Sequence, residues 1–142
     1  AGVMLPSTFA PFTPWSTPGG YLDLLHEIER LDLVEHVAPI QLAIRLLIPQ
    51  GSRMLELDDV RAVTGSFDAR SLTFRWVHAD PAVDALQADL TRMIGTRLSL
   101  PRSQVFASVW DVAHQRANSD RQRQPTLVAR AAIPYLNEPW YC

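Results

Sequence analysis

A chain of 142 residues and 15.9 kDa is one domain's worth, enough to bury roughly 68–70% of its unfolded surface. Apolar side chains make up 47% and charged ones 20%, the balance of a folding globular chain and not of a disordered one. Thirteen basic residues, all arginine, against fifteen acidic ones leave a formal net charge of -2, so no overall field draws the chain onto nucleic acid or anionic lipid.

Residues 1–17 carry Pro6, Pro11 and Pro14 among Phe9, Phe12 and Trp15. Prolines at this spacing preclude a helix, and the aromatics between them predict a strap that packs onto protein and is not a bare linker. Thr17 and Pro18 then supply the cap and first position of a helix whose apolar face is Tyr21, Leu24, Leu25, Ile28 and Leu31. A short turn over Asp32 to Val37 leads to Pro39, which opens a second predicted helix with Ile40, Ala43, Ile44, Leu47 and Ile48 on one side. That helix stops near Pro49, and Gln50-Gly51-Ser52 turns the chain.

Met54 to Leu57 is too short to assign, and Asp58 to Gly65 reads as one helical turn or a loop. Ser71 to His78 alternates apolar and polar residues with Leu72, Phe74 and Trp76 on one face, the best strand in the chain, with residues 53–57 as its expected partner. Asp80-Pro81 starts a third helix with Val83, Leu86, Leu90, Met93 and Ile94 on its stripe. Ser99 and Pro101 start a fourth, carrying Val105, Phe106, Val109, Trp110 and Ala113. Asn118 to Gln124 reads as a polar connector, Leu127 to Tyr135 follows it, and residues 137–142 form a tail. The fold class expected is mainly α, with about four helices and a short strand or two-stranded ribbon. Leu24, Ile28, Ile44, Leu47, Leu86, Leu90, Phe106 and Trp110 are its expected core.

Motifs for chemistry are sparse. His26-Glu27-Ile28-Glu29-Arg30 begins like a zinc-protease helix, but Arg30 stands where the second histidine ligand belongs. His36, His78 and His114 are scattered and read as structural or surface histidines. Gly51-Ser52 is no nucleophile elbow, and neither a dinucleotide fingerprint nor a phosphate-binding glycine loop occurs. Gly19-Gly20 at a helix start could hold an anion, though paired glycines more often serve close packing. Arg116, Arg121 and Arg123 read as a solvated connector. Ile40 to Pro49, the longest strongly apolar run, is far below the ~20 residues of a membrane span. No secretory signal is visible at the amino terminus, and the single cysteine, Cys142, fits a reducing cytoplasm. One thiol also cannot hold an iron–sulfur cluster, which takes at least three.

Two stretches have a familiar look. One runs from Pro11-Phe12-Thr13-Pro14-Trp15-Ser16-Thr17 through the first helix to the segment from His36 to Ser52. The other is the closing Ile133-Pro134-Tyr135-Leu136-Asn137-Glu138-Pro139-Trp140-Tyr141-Cys142. Both resemble the region after the catalytic barrel in cobalamin-binding radical-SAM proteins whose tails read Cys-Sec-Ala-Glu-Pro or Cys-Cys-Ala-Glu-Pro. That group is related to the anaerobic tetrapyrrole oxidative cyclases. The matching segments cover about a quarter of the chain and sit at both its ends.

The resemblance implies an accessory domain that closes a barrel, preceded in the same chain by that barrel and a cobalamin domain. A [4Fe-4S] cluster, S-adenosylmethionine and cobalamin would belong to those upstream parts, with none held by these 142 residues. The parent protein would be an oxidoreductase, cyclase or methyltransferase. Only Cys142 carries over, onto the first cysteine of the tail motif, as a candidate redox residue. The sequence stops there, where a selenocysteine codon read as a stop, or a boundary cut in a longer chain, would end it. The alternative, from the aromatic strap alone, is a stand-alone protein-interaction or ligand-binding module. The two part at the gene upstream of Ala1: an in-frame C-x-x-x-C-x-x-C loop favours the enzyme, and a nearby start codon the module.

Overall fold

Capping decides where the long helices begin, in a computed structural model that describes residues 9–121. Helix α1 is Pro18–Arg30, and the Thr17 hydroxyl accepts the N–H of Gly20 at 3.0 Å. It ends in a left-handed residue, Asp32 (φ 54°), with the Leu33 N–H donating to the Ile28 carbonyl and the Asp32 N–H to that of Glu29. This is a Schellman cap, and aspartate is one of the few side chains that tolerates its central position. Three later helices are α2 (Asp58–Val63), α3 (Pro81–Gly95) and α4 (Arg102–Arg121). Asp80 caps α3 by accepting the Ala82 N–H at 2.8 Å. The Pro101 carbonyl starts α4 by accepting from Gln104 and Val105.

The expected second helix over residues 39–49 does not form. Pro39–Ala43 makes a short 3-10 helix, and the chain then runs extended through Arg45 into strand β1, Ile48–Pro49. The reason is a partner distant in sequence. Phe12 and Arg45 form a parallel bridge, with the Phe12 N–H donating to the Ile44 carbonyl and the Leu46 N–H to the Phe12 carbonyl. Backbone groups engaged by the strap cannot also close helical turns. The apolar spacing that mimics a helix is therefore split between two environments: Ile48 is fully buried while Leu47 is 67% exposed.

The strand reading holds for Thr73–Trp76 (β3), but its partners differ from expectation. Residues 53–57 are not a strand; Arg53–Glu56 is a 3-10 helix capped by Ser52. Instead β3 is the centre of a three-stranded antiparallel sheet in the order β1-β3-β2, where β2 is Thr64–Asp68. Phe74 faces Ile48 on one side and Phe67 on the other. Leu72, expected on the strand face, lies in the β2–β3 turn at φ 57° and is 66% exposed.

A left-handed backbone costs a leucine about 1–2 kcal/mol, and this side chain buries little in return. Leu72→Gly is expected to stabilise the chain by about 1 kcal/mol, seen as a higher urea midpoint with unchanged m-value. A lower midpoint would show that the leucine makes a contact worth more than its strain.

Helices α1, α3 and α4 enclose one core with the 3-10 turn at 39–43 and the strap. Leu25, Leu42, Leu86, Leu90, Ile94, Val105 and Val109 are essentially inaccessible there. A second, smaller core lies under the sheet, built from Ile48, Val60 and Trp76. Of the eight expected core residues, Ile28, Leu86, Leu90 and Phe106 are buried. Leu24, Ile44 and Trp110 are half-buried, and Leu47 alone is exposed. Helix α4 continues through residues read as a connector, as far as Arg121. Leu127 to Tyr135 and the tail to Cys142 lie outside the described residues.

Candidate functional site

Two constellations combine residues from distant parts of the chain. The first is where the strap meets the sheet. Phe12 is 1% exposed and stacks on Tyr21 with ring centroids 5.0 Å apart. The Tyr21 hydroxyl donates to the Leu42 carbonyl at 2.7 Å, and burial pushes this phenol well above its ordinary range. These contacts hold the end of the 3-10 helix and the extended residues 44–46 that follow, and with them Arg45. One arm of the Arg45 guanidinium donates to Asp84 Oδ1 at 2.7 Å, and the other donates to the Trp76 carbonyl at 2.7 Å. Its Cζ lies over the Trp76 ring, 3.6 Å from the ring centre. Asp84 also accepts the His78 N–H, and Trp76 Nε1 donates to the Leu46 carbonyl.

Both arms of Arg45 are thus committed within the fold, and the cluster joins the helical core to the sheet core. Its chemistry is that of a structural joint. His78 is buried beside it, with Nδ1 accepting from the Asp80 N–H at 2.9 Å. The same Nδ1 is 3.1 Å from the Asp80 carbonyl, and Nε2 finds no hydrogen-bond partner among the described residues. Further along the strap, Trp15 is half-exposed, and its indole N–H donates to Asp59. That bond, helped by the Val60 N–H, holds the Asp59 carboxyl below the usual carboxylate range.

The second constellation lies between α1 and α4. His26 meets the Trp110 ring edge-on at 4.6 Å, His114 stacks on the same ring at 4.8 Å, and the two imidazoles are 5.7 Å apart. His114 Nδ1 is 2.9 Å from the Trp110 carbonyl. A carbonyl only accepts, so Nδ1 carries the proton, and a neutral ring keeps its lone pair on Nε2. Beside this triangle runs an open groove of about 340 Å³, lined by Val34, Phe106 and Trp110 and by the carboxylate-bearing Glu29 and Asp111.

The candidate redox residue, Cys142, lies outside the described residues, as does Arg123. The remaining histidine, His36, sits in a short 3-10 turn over Val34–His36 and is exposed. Gly20 gives its N–H to the Thr17 cap, so that amide at the start of α1 is already engaged. Arg116 is not in a connector. It pairs with Asp89 across α3 and α4, and together with Arg92 it holds the Asp89 carboxyl below its usual range.

The approach of His26 to His114 is the feature that sequence reading missed. They stand 88 positions apart on separate helices (114 − 26), and no spacing rule links them. Among the described residues, no group of three or more histidine, cysteine or acidic side chains is gathered for a metal. None of their helices is long and apolar enough to cross a membrane. No protein-family model, no curated protein and no solved structure matches the chain.

Proposed function

We propose that this chain is the C-terminal accessory domain of a cobalamin-binding radical-SAM enzyme, closing its catalytic barrel and carrying a cysteine tail toward it. One observation lends this reading support. The first stretch resembling that family has two halves, residues 11–17 and 36–52, and they meet. The Phe12–Arg45 bridge and its two hydrogen bonds join them, and Tyr21 of the intervening helix anchors the same segment at Leu42. The resemblance therefore falls on one packed unit, not on unrelated loops.

The residues present do not fit an iron–sulfur cluster. Cys142 is the chain's only thiol, against the three or more that a cluster takes. In this reading the cluster, S-adenosylmethionine and cobalamin belong to the upstream barrel and cobalamin domains of the same chain. The part left to these 142 residues is to pack against the barrel and present Cys142.

The test begins with the gene. An in-frame C-x-x-x-C-x-x-C loop upstream of Ala1 is expected, and a start codon close upstream sinks the reading in favour of a stand-alone interaction module. The full-length protein, purified without oxygen, is then expected to contain iron, sulfide and cobalamin, while the 142-residue chain reconstitutes no cluster. In the full-length protein, Cys142→Ser is expected to impair turnover while cluster content stays unchanged. Full turnover in that variant would remove the tail from the mechanism.

A further inference from the structure

We propose that His26 and His114 form a binding site for a divalent transition metal of the imidazole-seeking class, such as Ni²⁺ or Zn²⁺. The geometry of the ring pair is the first support. A ligating imidazole nitrogen lies about 2.0–2.1 Å from such a metal, which puts two ring centres about 5 Å apart at a tetrahedral angle and about 6 Å when opposed. The observed separation is 5.7 Å.

The second support is the state of the donor atoms. His114 donates Nδ1–H to the Trp110 carbonyl, the arrangement that orients a metal-binding histidine and leaves Nε2 as the ligating atom. Stacking on Trp110 holds the same ring in place. His26 is exposed on the last turns of α1, so its ring can turn toward His114 at little cost. Glu29 lies one turn from His26, and Asp111 one turn from His114, both lining the adjoining groove. Their negative charge favours a cation there without itself ligating it.

No third protein ligand joins the pair among the described residues, so water fills the remaining positions. Such a site is a weak, open one. It selects by ligand type: imidazole nitrogen suits nickel, copper and zinc, whereas magnesium and calcium demand oxygen. The inference stands apart from the accessory-domain reading, because it uses only α1 and α4.

Trp110 touches both rings and supplies the measurement. Titrating the 142-residue chain with nickel chloride is expected to give a saturable loss of tryptophan fluorescence that zinc competes away and magnesium does not produce. His26→Gln and His114→Gln should each abolish it, with helical circular dichroism retained. Should His114→Gln fail to fold, His26→Gln alone decides, since that side chain is exposed. Cys142→Ser should leave the quenching intact. The proposal is overturned by a wild-type chain without saturable quenching, or by quenching that survives His26→Gln. Quenching that vanishes in Cys142→Ser would place the metal on the tail and equally overturn it.

Discussion

Phe12→Ala is expected to destabilise the chain by about 3–5 kcal/mol, the usual cost of emptying a buried phenylalanine site. Against a typical domain stability of about 5–15 kcal/mol, that is a large share. The sequence placed Phe12 in a strap ahead of the first helix, yet it is 1% exposed and sits in the same core as Leu25, Leu42 and Leu90. Its loss removes the stacking contact with Tyr21 and leaves a cavity where strap, α1 and the 39–43 turn meet. Chemical denaturation by urea, followed by circular dichroism, measures the effect. Trp15→Ala supplies the contrast within the same strap. That side chain is half-exposed and anchored by one surface hydrogen bond to Asp59, so its removal should cost under about 1 kcal/mol. Equal costs at the two positions would mean that burial does not set the strap's contribution.

Arg45→Met is expected to cost about 2 kcal/mol, because it deprives two partners at once. Asp84 would keep only the His78 N–H, and the Trp76 carbonyl would lose its charged donor. The Arg45 and Asp84 side chains are about a quarter exposed (25% and 26%), so water offsets part of the loss, and the full penalty of a dry ion pair does not apply. Arg45→Lys separates charge from shape. It keeps the positive charge but cannot span Asp84 and the Trp76 carbonyl with one planar fork, so it should recover less than half of the loss. Full recovery by lysine would show that charge alone matters. The same urea midpoints report both variants.

How much of this was legible in the sequence depended on the range of the forces involved. Helices α1, α3 and α4 announce themselves through signals within a few residues: Thr17-Pro18, Asp80-Pro81 and Pro101, each ahead of a stripe of helical period. The segment 39–49 has such a stripe too, but the hydrogen bonds from Phe12 override it. No local pattern encodes a partner 33 positions away (45 − 12). Strand β2 went unrecognised because Thr-Gly-Ser-Phe-Asp has weak strand propensity, and because its turn to β3 lacks the Asn-Gly or Asp-Gly signature. It is a strand because its backbone pairs with β3, Thr64 with Trp76, Phe67 with Phe74 and Asp68 with Thr73. The histidine pair is legible only in three dimensions, since it depends on how α1 crosses α4.

The sheet also bears on how the molecule behaves among its own copies. Among the described residues β2 is an outer strand with no partner along one side, and such edges are templates for strand-to-strand association. Here the ladder is irregular: Thr64 pairs with Trp76, and pairing resumes only at Phe67 with Phe74. A break of this kind bends the strand and raises its twist, so a second chain laid alongside meets no straight run of donors and acceptors. At its far end the Asp68–Arg75 ion pair ties β2 to the central strand. The strand that sequence propensity least supports is therefore also a poor template for a second chain, beside the exposed Phe67 and Leu72.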